Sequence, residues 1–256
     1  MNLGISGRVA LVAAATSGLG FAAARALAAE GAQVSICGRD QRRLAAARGQ
    51  IAALGGGKVS ASAVDVRDSA AVAAWVDATA AEFGELHIVV ANSGGPAPGP
   101  VDVATPAAFR QAYEACVQPQ IGLALAALPH LRAAGWGRIL MIASETARQP
   151  IVGYGLSSTV RPALLGFART LAHTIGGCGV TVNVLAPGYH RTPGLTSQFG
   201  EQSEFELRRI AAGIPVGRVG CAEDFGAVAA FLASERAGFI TGTSLLVDGG
   251  AARGTG

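Results

Sequence analysis

Short, almost wholly apolar runs alternate along this chain with longer stretches of mixed polarity. The apolar runs predict strands over residues 9–15, 33–37, 58–64, 87–91, 138–143, 180–185 and 244–247. The stretches between them predict helices over 19–29, 42–54 and 69–83, the last with Ser69 as its cap. Two more helices are expected across 106–131. A long one follows from about 155 to 175, stopped by Gly176 and Gly177, and two others cover 201–212 and 222–233. Strands that alternate with helices of this length pair in parallel through crossovers. Near-continuous apolar strands are covered on both faces. The expected fold is therefore α/β, a single doubly wound, Rossmann-like sheet of about seven strands with helices on both faces. The Gly/Pro stretch at 94–100 is too short to separate two domains.

Composition sharpens this picture. Half of the 256 residues are hydrophobic and only 14% are charged, against a usual charged share of about 25%. Disorder is excluded, and part of the surface is expected to be covered by other subunits. Twenty basic residues face seventeen acidic ones, a net charge of +3, too balanced for a nucleic-acid binder. The cysteines, Cys37, Cys116, Cys178 and Cys221, form no CxxC and have no histidine at ligand spacing. A disulfide framework or a zinc site is not expected. The first residues hold no long apolar run, and no 18-residue uncharged apolar run exists, so a cytoplasmic protein is expected. There is one lysine, Lys58, and there are three tyrosines, Tyr113, Tyr154 and Tyr189. Chemistry that needs a Tyr-Lys pair is thereby constrained.

The first strand runs into Ala14, Ala15, Thr16, Ser17, Gly18, Leu19 and Gly20, which open a helix. Glycines there let backbone N–H groups and the helix N-terminus approach a pyrophosphate. Roughly 20 residues on, an acidic side chain would select the ribose 2′-hydroxyl of NAD. That place holds Gly38, with Arg39 next. A guanidinium suits a 2′-phosphate, so NADPH is the expected cofactor.

With these residues the chain resembles the short-chain dehydrogenase/reductase family, from about residue 7 to residue 250. Asp65-Val66 falls where the family binds adenine, and Ala91-Asn92-Ser93-Gly94 where it has Asn-Asn-Ala-Gly. Ser144 stands at the place of the catalytic serine. Pro187-Gly188, Thr192 near the nicotinamide carboxamide, Ile240-Thr241-Gly242 and Asp248-Gly249-Gly250 complete the series. The resemblance implies one dinucleotide-binding domain over 7–250, a substrate lid over 189–213, a tail at 251–256, and a homotetramer built on the long helix and the last strand. Leu164, Leu165, Phe167, Ala168 and Leu171 make that helix apolar on several faces.

Departures from the family are equally informative. Ala14 replaces its first loop glycine, and Cys116 its helix asparagine. The family's tyrosine, 13 residues after the serine, is Ser157 here, and its lysine is Arg161. The chain thus resembles an atypical branch without the Tyr-Lys pair, similar to Tyr-less oxoacyl-carrier-protein-reductase-like proteins. Arg161 cannot relay a proton but can bind ribose hydroxyls and favour an oxyanion; alternatively it pairs with Glu145. Ser144 and Ser157 can hydrogen-bond. Tyr154 is the best side-chain substitute as proton donor, three residues from Ser157 on one face if the helix starts before it, and water is the alternative donor. His190 is expected to be a solvated loop residue, and Cys116 to be packing. Loss of the tyrosine tilts the reading mildly from carbonyl towards conjugated C=C reduction, because an enolate needs a weaker acid than an alkoxide. The expected partner is a small, largely apolar substrate, with no nucleic acid and no membrane. A cofactor-binding scaffold in a hetero-oligomer and a non-redox lyase are the alternatives.

Overall fold

The computed structural model describes residues 2–254. The strands are β1 (Val9–Val12), β2 (Gln33–Gly38), β3 (Val59–Ala63), β4 (Ile88–Ala91), β5 (Gly137–Ile142), β6 (Val180–Pro187), β7 (His190–Arg191), β8 (Gly220–Cys221) and β9 (Ser244–Val247). The helices are α1 (Gly18–Ala29), α2 (Gln41–Ala52), α3 (Ser69–Phe83), α4 (Pro106–Cys116), α5 (Gln118–Ala133), α6 (Gly155–Val160), α7 (Pro162–Thr174), α8 (Pro193–Phe199), α9 (Ser203–Ala211) and α10 (Ala222–Leu232). Seven strands form one parallel sheet in the order β3-β2-β1-β4-β5-β6-β9, and β7 and β8 pair separately.

Two apolar clusters, one on each face, bury this sheet. On one side α3, α5 and α7 pack with Leu11, Val89, Ile139, Met141 and Val182. On the other, α1 and α10 pack with Val12, Ile36, Val90, Leu140 and Leu185. Side chains alternate faces along a strand, so the sheet must be apolar on both sides. The doubly wound, single-domain reading therefore holds. Among the described residues no helix is long and apolar enough to cross a membrane.

The structure corrects four local expectations. The helix expected over 155–175 is two helices, because Pro162 cannot donate into an α6 turn and instead starts α7. Tyr154 is the N-cap of α6 rather than a residue inside it, so the one-face pairing with Ser157 does not form. Asp68, not Ser69, caps α3, accepting from the N–H groups of Ala70 and Ala71. Within the proposed lid an additional helix, α8, starts at Pro193 with Thr192 as its cap.

One buried polar contact fixes α3 across β2. Trp75 Nε1 donates to Ser35 Oγ at 3.0 Å, and Ser35 Oγ lies 3.0 Å from Thr79 Oγ1. Ser35 is wholly buried, so its hydroxyl spares an indole N–H from burial without a partner. Ser35→Ala should destabilise the fold by about 1–3 kcal/mol in urea denaturation.

Candidate active site

The C-terminal ends of β1, β2, β4 and β5 open into one cleft of about 950 Å³. Chain order reverses between β1 and β4, so the cleft lies at the switch point where ligands bind in such sheets. Ala14, Thr16, Ser17, Gly18 and Leu19 line it from the first loop. Ser17 caps α1 in extended conformation and makes no side-chain cap bond, leaving the first N–H groups of α1 free for an anion. Gly18 has φ +63°, which a glycine adopts without strain. Ala14 has φ +48°, the one non-glycine in that region among the described residues. Gly20 does not line the cleft. A Cβ there would stand 2.7 Å from Asn92 Nδ2 and 2.8 Å from the Ala14 carbonyl, so Gly20 lets α1 pack beneath the loop.

Arginines surround the far end of the cleft. Arg39, Arg43 and Arg67 all line it. A Cβ on Gly38 would run into Thr16 Cγ2, so a side chain there would require Thr16 to move. Arg43 Nη2 donates to Ser17 Oγ at 2.9 Å, joining α2 to the glycine loop. The sequence reading missed Arg43, although its spacing of four from Arg39 was the available signal. Asp65 lines the same end, and Val66 with it. Hydrogen bonds from Arg67 hold the Asp65 carboxyl down at about 2, against the opposing effect of burial.

Asn92, Ser93 and Gly94 form the wall after β4. Asn92 Nδ2 donates to the Ala14 carbonyl at 3.4 Å, and Ser93 Oγ to the Cys116 carbonyl at 3.1 Å. Cys116 is wholly buried, and burial raises its thiol against the opposing effect of Arg161. It packs, as expected, although Arg161 is a neighbour that sequence distance concealed. Thr192 completes the opposite rim and caps α8. Pro187 ends β6 and Gly188 follows it; neither lines the cleft.

Arg161 lines the cleft's other end, with only 8% of its surface exposed. Its Nη1 donates to the carbonyls of Ile142 at 3.2 Å and Ala143 at 2.7 Å, while its Nε has no partner. The alternative pairing with Glu145 does not occur. Ser144 Oγ accepts from the Thr146 N–H at 3.2 Å, and Thr146 Oγ1 lies 2.8 Å from Ser157 Oγ. Thr146 thus joins both serines through one single-turn segment, Glu145–Ala147. Nothing in the sequence pattern marked it. His190 is not solvated: it is 5% exposed, stands edge-on to Phe225, and its Nδ1 lies 3.1 Å from the Gly188 carbonyl. Burial lowers its pKa, so it is a packed neutral ring near neutral pH.

The residues present fit a nicotinamide dinucleotide. The glycine loop offers uncapped N–H groups, three guanidiniums line the far end, one of them paired with Asp65, and a buried guanidinium at the other end keeps an unpartnered Nε. Fold and cleft together define a Rossmann-type dinucleotide-binding protein. The family described as Enoyl-(Acyl carrier protein) reductase matches residues 13–252. Cis-4-hydroxycyclohexanecarboxylate dehydrogenase of Sinomonas cyclohexanicum is 38% identical over 250 residues, covering 95% of this chain and 96% of that protein. The 3-oxoacyl-acyl-carrier-protein reductase FabG of Escherichia coli is 31% identical over 248 residues, covering 97% and 98%. The crystal structure of L-sorbose reductase from Gluconobacter frateurii, complexed with NADPH and L-sorbose, superposes with a TM-score of 0.94. It is 30% identical and covers 99% of this chain and all of that one, 100%. The structure of YwfH, an NADPH-dependent reductase involved in bacilysin biosynthesis, gives 0.90 at 27% identity, covering 96% and 99%. The chain belongs to the short-chain dehydrogenase/reductase family and is an oxidoreductase of it.

The left-handed Ala14 carries a conformational cost that glycine would not. Ala14→Gly should raise the unfolding free energy by about 1 kcal/mol, read by calorimetry.

Proposed function

We propose that the protein is an NADPH-dependent reductase of a small, largely apolar carbonyl or conjugated enone compound. The observation that carries this reading is one continuous cleft with Arg39 and Arg43 at one end and the buried Arg161 at the other. The NADPH complex of L-sorbose reductase supports the choice of cofactor. Arg39 and Arg43 would hold the 2′-phosphate, and the free N–H groups of α1 the pyrophosphate. Asp65 and Val66 would flank the adenine.

When bound, the reduced nicotinamide supplies a hydride. In this reading Ser157 and Arg161 would take the places of the family's tyrosine and lysine. Arg161 Nε would bind a ribose hydroxyl, and its fixed charge would favour negative charge developing on the substrate oxygen. Ser144 would donate to that oxygen, and Ser157 would hold Thr146 and Ser144 in register. A serine hydroxyl is a poor acid near neutral pH, so Tyr154 is the proposed proton donor. This set suits a delocalised enolate better than a localised alkoxide, which favours conjugate reduction.

Residues 189–213, with α8 and α9, would close over the substrate. Phe205 in this segment is 62% exposed, an apolar face available to cover a ligand. A cytoplasmic homotetramer is the proposed assembly. β9 is a sheet edge, and Leu245 on it and Phe239 before it are exposed, as an unpaired apolar edge requires a cover.

Fluorescence titration with NADPH and NADH tests the cofactor assignment. Arg39→Ala and Arg43→Ala should each weaken NADPH binding about tenfold to hundredfold, and change NADH binding by less than about threefold. Equal loss for both dinucleotides would contradict the 2′-phosphate assignment.

A further inference from the structure

Behind the reacting end of the cleft lies a buried amide to which the proposed chemistry assigns no role. Gln120, in the first turn of α5, is 1% exposed. Its Nε2 donates to three acceptors, the Ile142 carbonyl at 2.9 Å, the Cys116 carbonyl at 3.1 Å and Ser93 Oγ at 3.3 Å. Two of these are carbonyls, which only accept, so the amide nitrogen rather than its oxygen faces them. One side chain thus ties together the wall after β4, the end of α4 and the end of β5. Ser93, Ile142 and Arg161 line the cleft, and Gln120 itself does not.

Stability does not account for this amide. Each carbonyl it serves has a second partner. The Cys116 carbonyl also accepts from Ser93 Oγ at 3.1 Å, and the Ile142 carbonyl from Arg161 Nη1 at 3.2 Å. Gln120 Oε1, by contrast, is buried with no hydrogen-bond partner among the described residues, and such an orphan costs stability. An apolar side chain of the same length would leave neither carbonyl without a donor and would bury no orphan oxygen. A buried polar group that the fold would be no worse without points to the site rather than to the core.

The amide meets Arg161 at the carbonyl they share. A carbonyl oxygen has two lone pairs, and the Ile142 oxygen gives one to each donor. The bond from Gln120 is the shorter, 2.9 Å against 3.2 Å, so the amide holds this carbonyl off the guanidinium. Arg161 leans instead on the Ala143 carbonyl at 2.7 Å. Its Nη2 reaches towards the loop after β4, where a Cβ on Gly95 would stand 3.3 Å from it, and Gly95 lines the cleft. Without the amide the Ile142 carbonyl would turn fully onto Nη1 and draw the guanidinium back to the end of β5.

We propose that Gln120 is a positioning residue for the reduction, which keeps the Arg161 charge forward in the cleft by sharing the Ile142 carbonyl. The inference rests on the reductase reading. Gln120 acts through Arg161 and adds no covalent or proton-transfer step. A fixed charge favours a developing anion most when nothing has to reorganise around it, so the effect belongs in kcat rather than in KM.

Gln120→Met tests this, with 2-cyclohexen-1-one as substrate and NADPH oxidation as the readout. The kcat should fall about tenfold, with KM for NADPH within about threefold of wild type and the urea midpoint unchanged or raised. A double-mutant cycle with Arg161→Lys separates positioning from general loosening. Added to Arg161→Lys, Gln120→Met should lower kcat by less than about twofold further. An unaltered kcat in Gln120→Met, or the full loss repeated on top of Arg161→Lys, would overturn the proposal. The enolate of cyclohexane-1,3-dione gives a readout without turnover, because it shares the ring and the delocalised charge that hydride transfer to the enone would produce. Its affinity for the complex with NADP+, measured by calorimetry, should fall about tenfold in Gln120→Met, while uncharged cyclohexanone binds both enzymes alike. Equal loss of the two probes, or a wild-type complex that does not prefer the enolate, would overturn the role in placing charge. Wild-type enzyme that binds no NADPH, or oxidises none with either 2-cyclohexen-1-one or cyclohexanone, would instead overturn the reductase reading.

Discussion

A guanidinium has to keep its charge where water barely reaches it. Arg161 is buried at the end of β5, and burial pushes its pKa down. A buried charge is tolerated only when its hydrogen bonds are met. The carbonyls of Ile142 and Ala143 meet those of Nη1. That arrangement depends on β5 ending where it does, and on Ala143 keeping its backbone N–H on the Leu185 carbonyl of β6. It depends also on α6 giving way to α7 at Pro162, directly after Arg161. One donor, Nε, remains open. The same strand end sets Ser144, Thr146 and Glu145 in the following turn. Site and sheet are therefore one construction, and a ligand in the cleft would complete it.

Much of the fold was legible because a parallel sheet covered on both faces demands apolar strands. Val9–Val12 and Val180–Pro187 are buried at every position, and no amphipathic alternation competes with that pattern. Local signals were less reliable where two residues offered the same chemistry. Asp68 and Ser69 are both good caps, and the carboxylate won. The break at Pro162 was hidden within a continuous apolar period. Thr192-Pro193 is a helix start that was absorbed into a loop reading.

The cofactor half of the site was legible because it consists of consecutive residues. Ala14, Thr16, Ser17, Gly18 and Leu19, with Arg39, need only one loop and one strand end to meet. Arg43 was missed because its role appears when α2 brings it back onto Ser17. The reacting half was less legible because it is assembled from distant segments. Cys116 meets Arg161, and Glu145 meets Asp248, only through the fold. His190 looked like a loop residue until Phe225 and the Gly188 carbonyl enclosed it. The Ser144–Thr146–Ser157 chain is a result of the single turn after β5, which leaves no periodic trace in the sequence.

The central claim is that this cleft moves a hydride without a tyrosine at position 157. Isotope transfer tests it most directly. NADPH deuterated at C4 would be incubated with the protein and 2-cyclohexen-1-one, and the product examined by NMR. Deuterium at the β-carbon of cyclohexanone is the result the structure predicts. Bound NADPH with no deuterium in any product of 2-cyclohexen-1-one or of a ketone probe would contradict it.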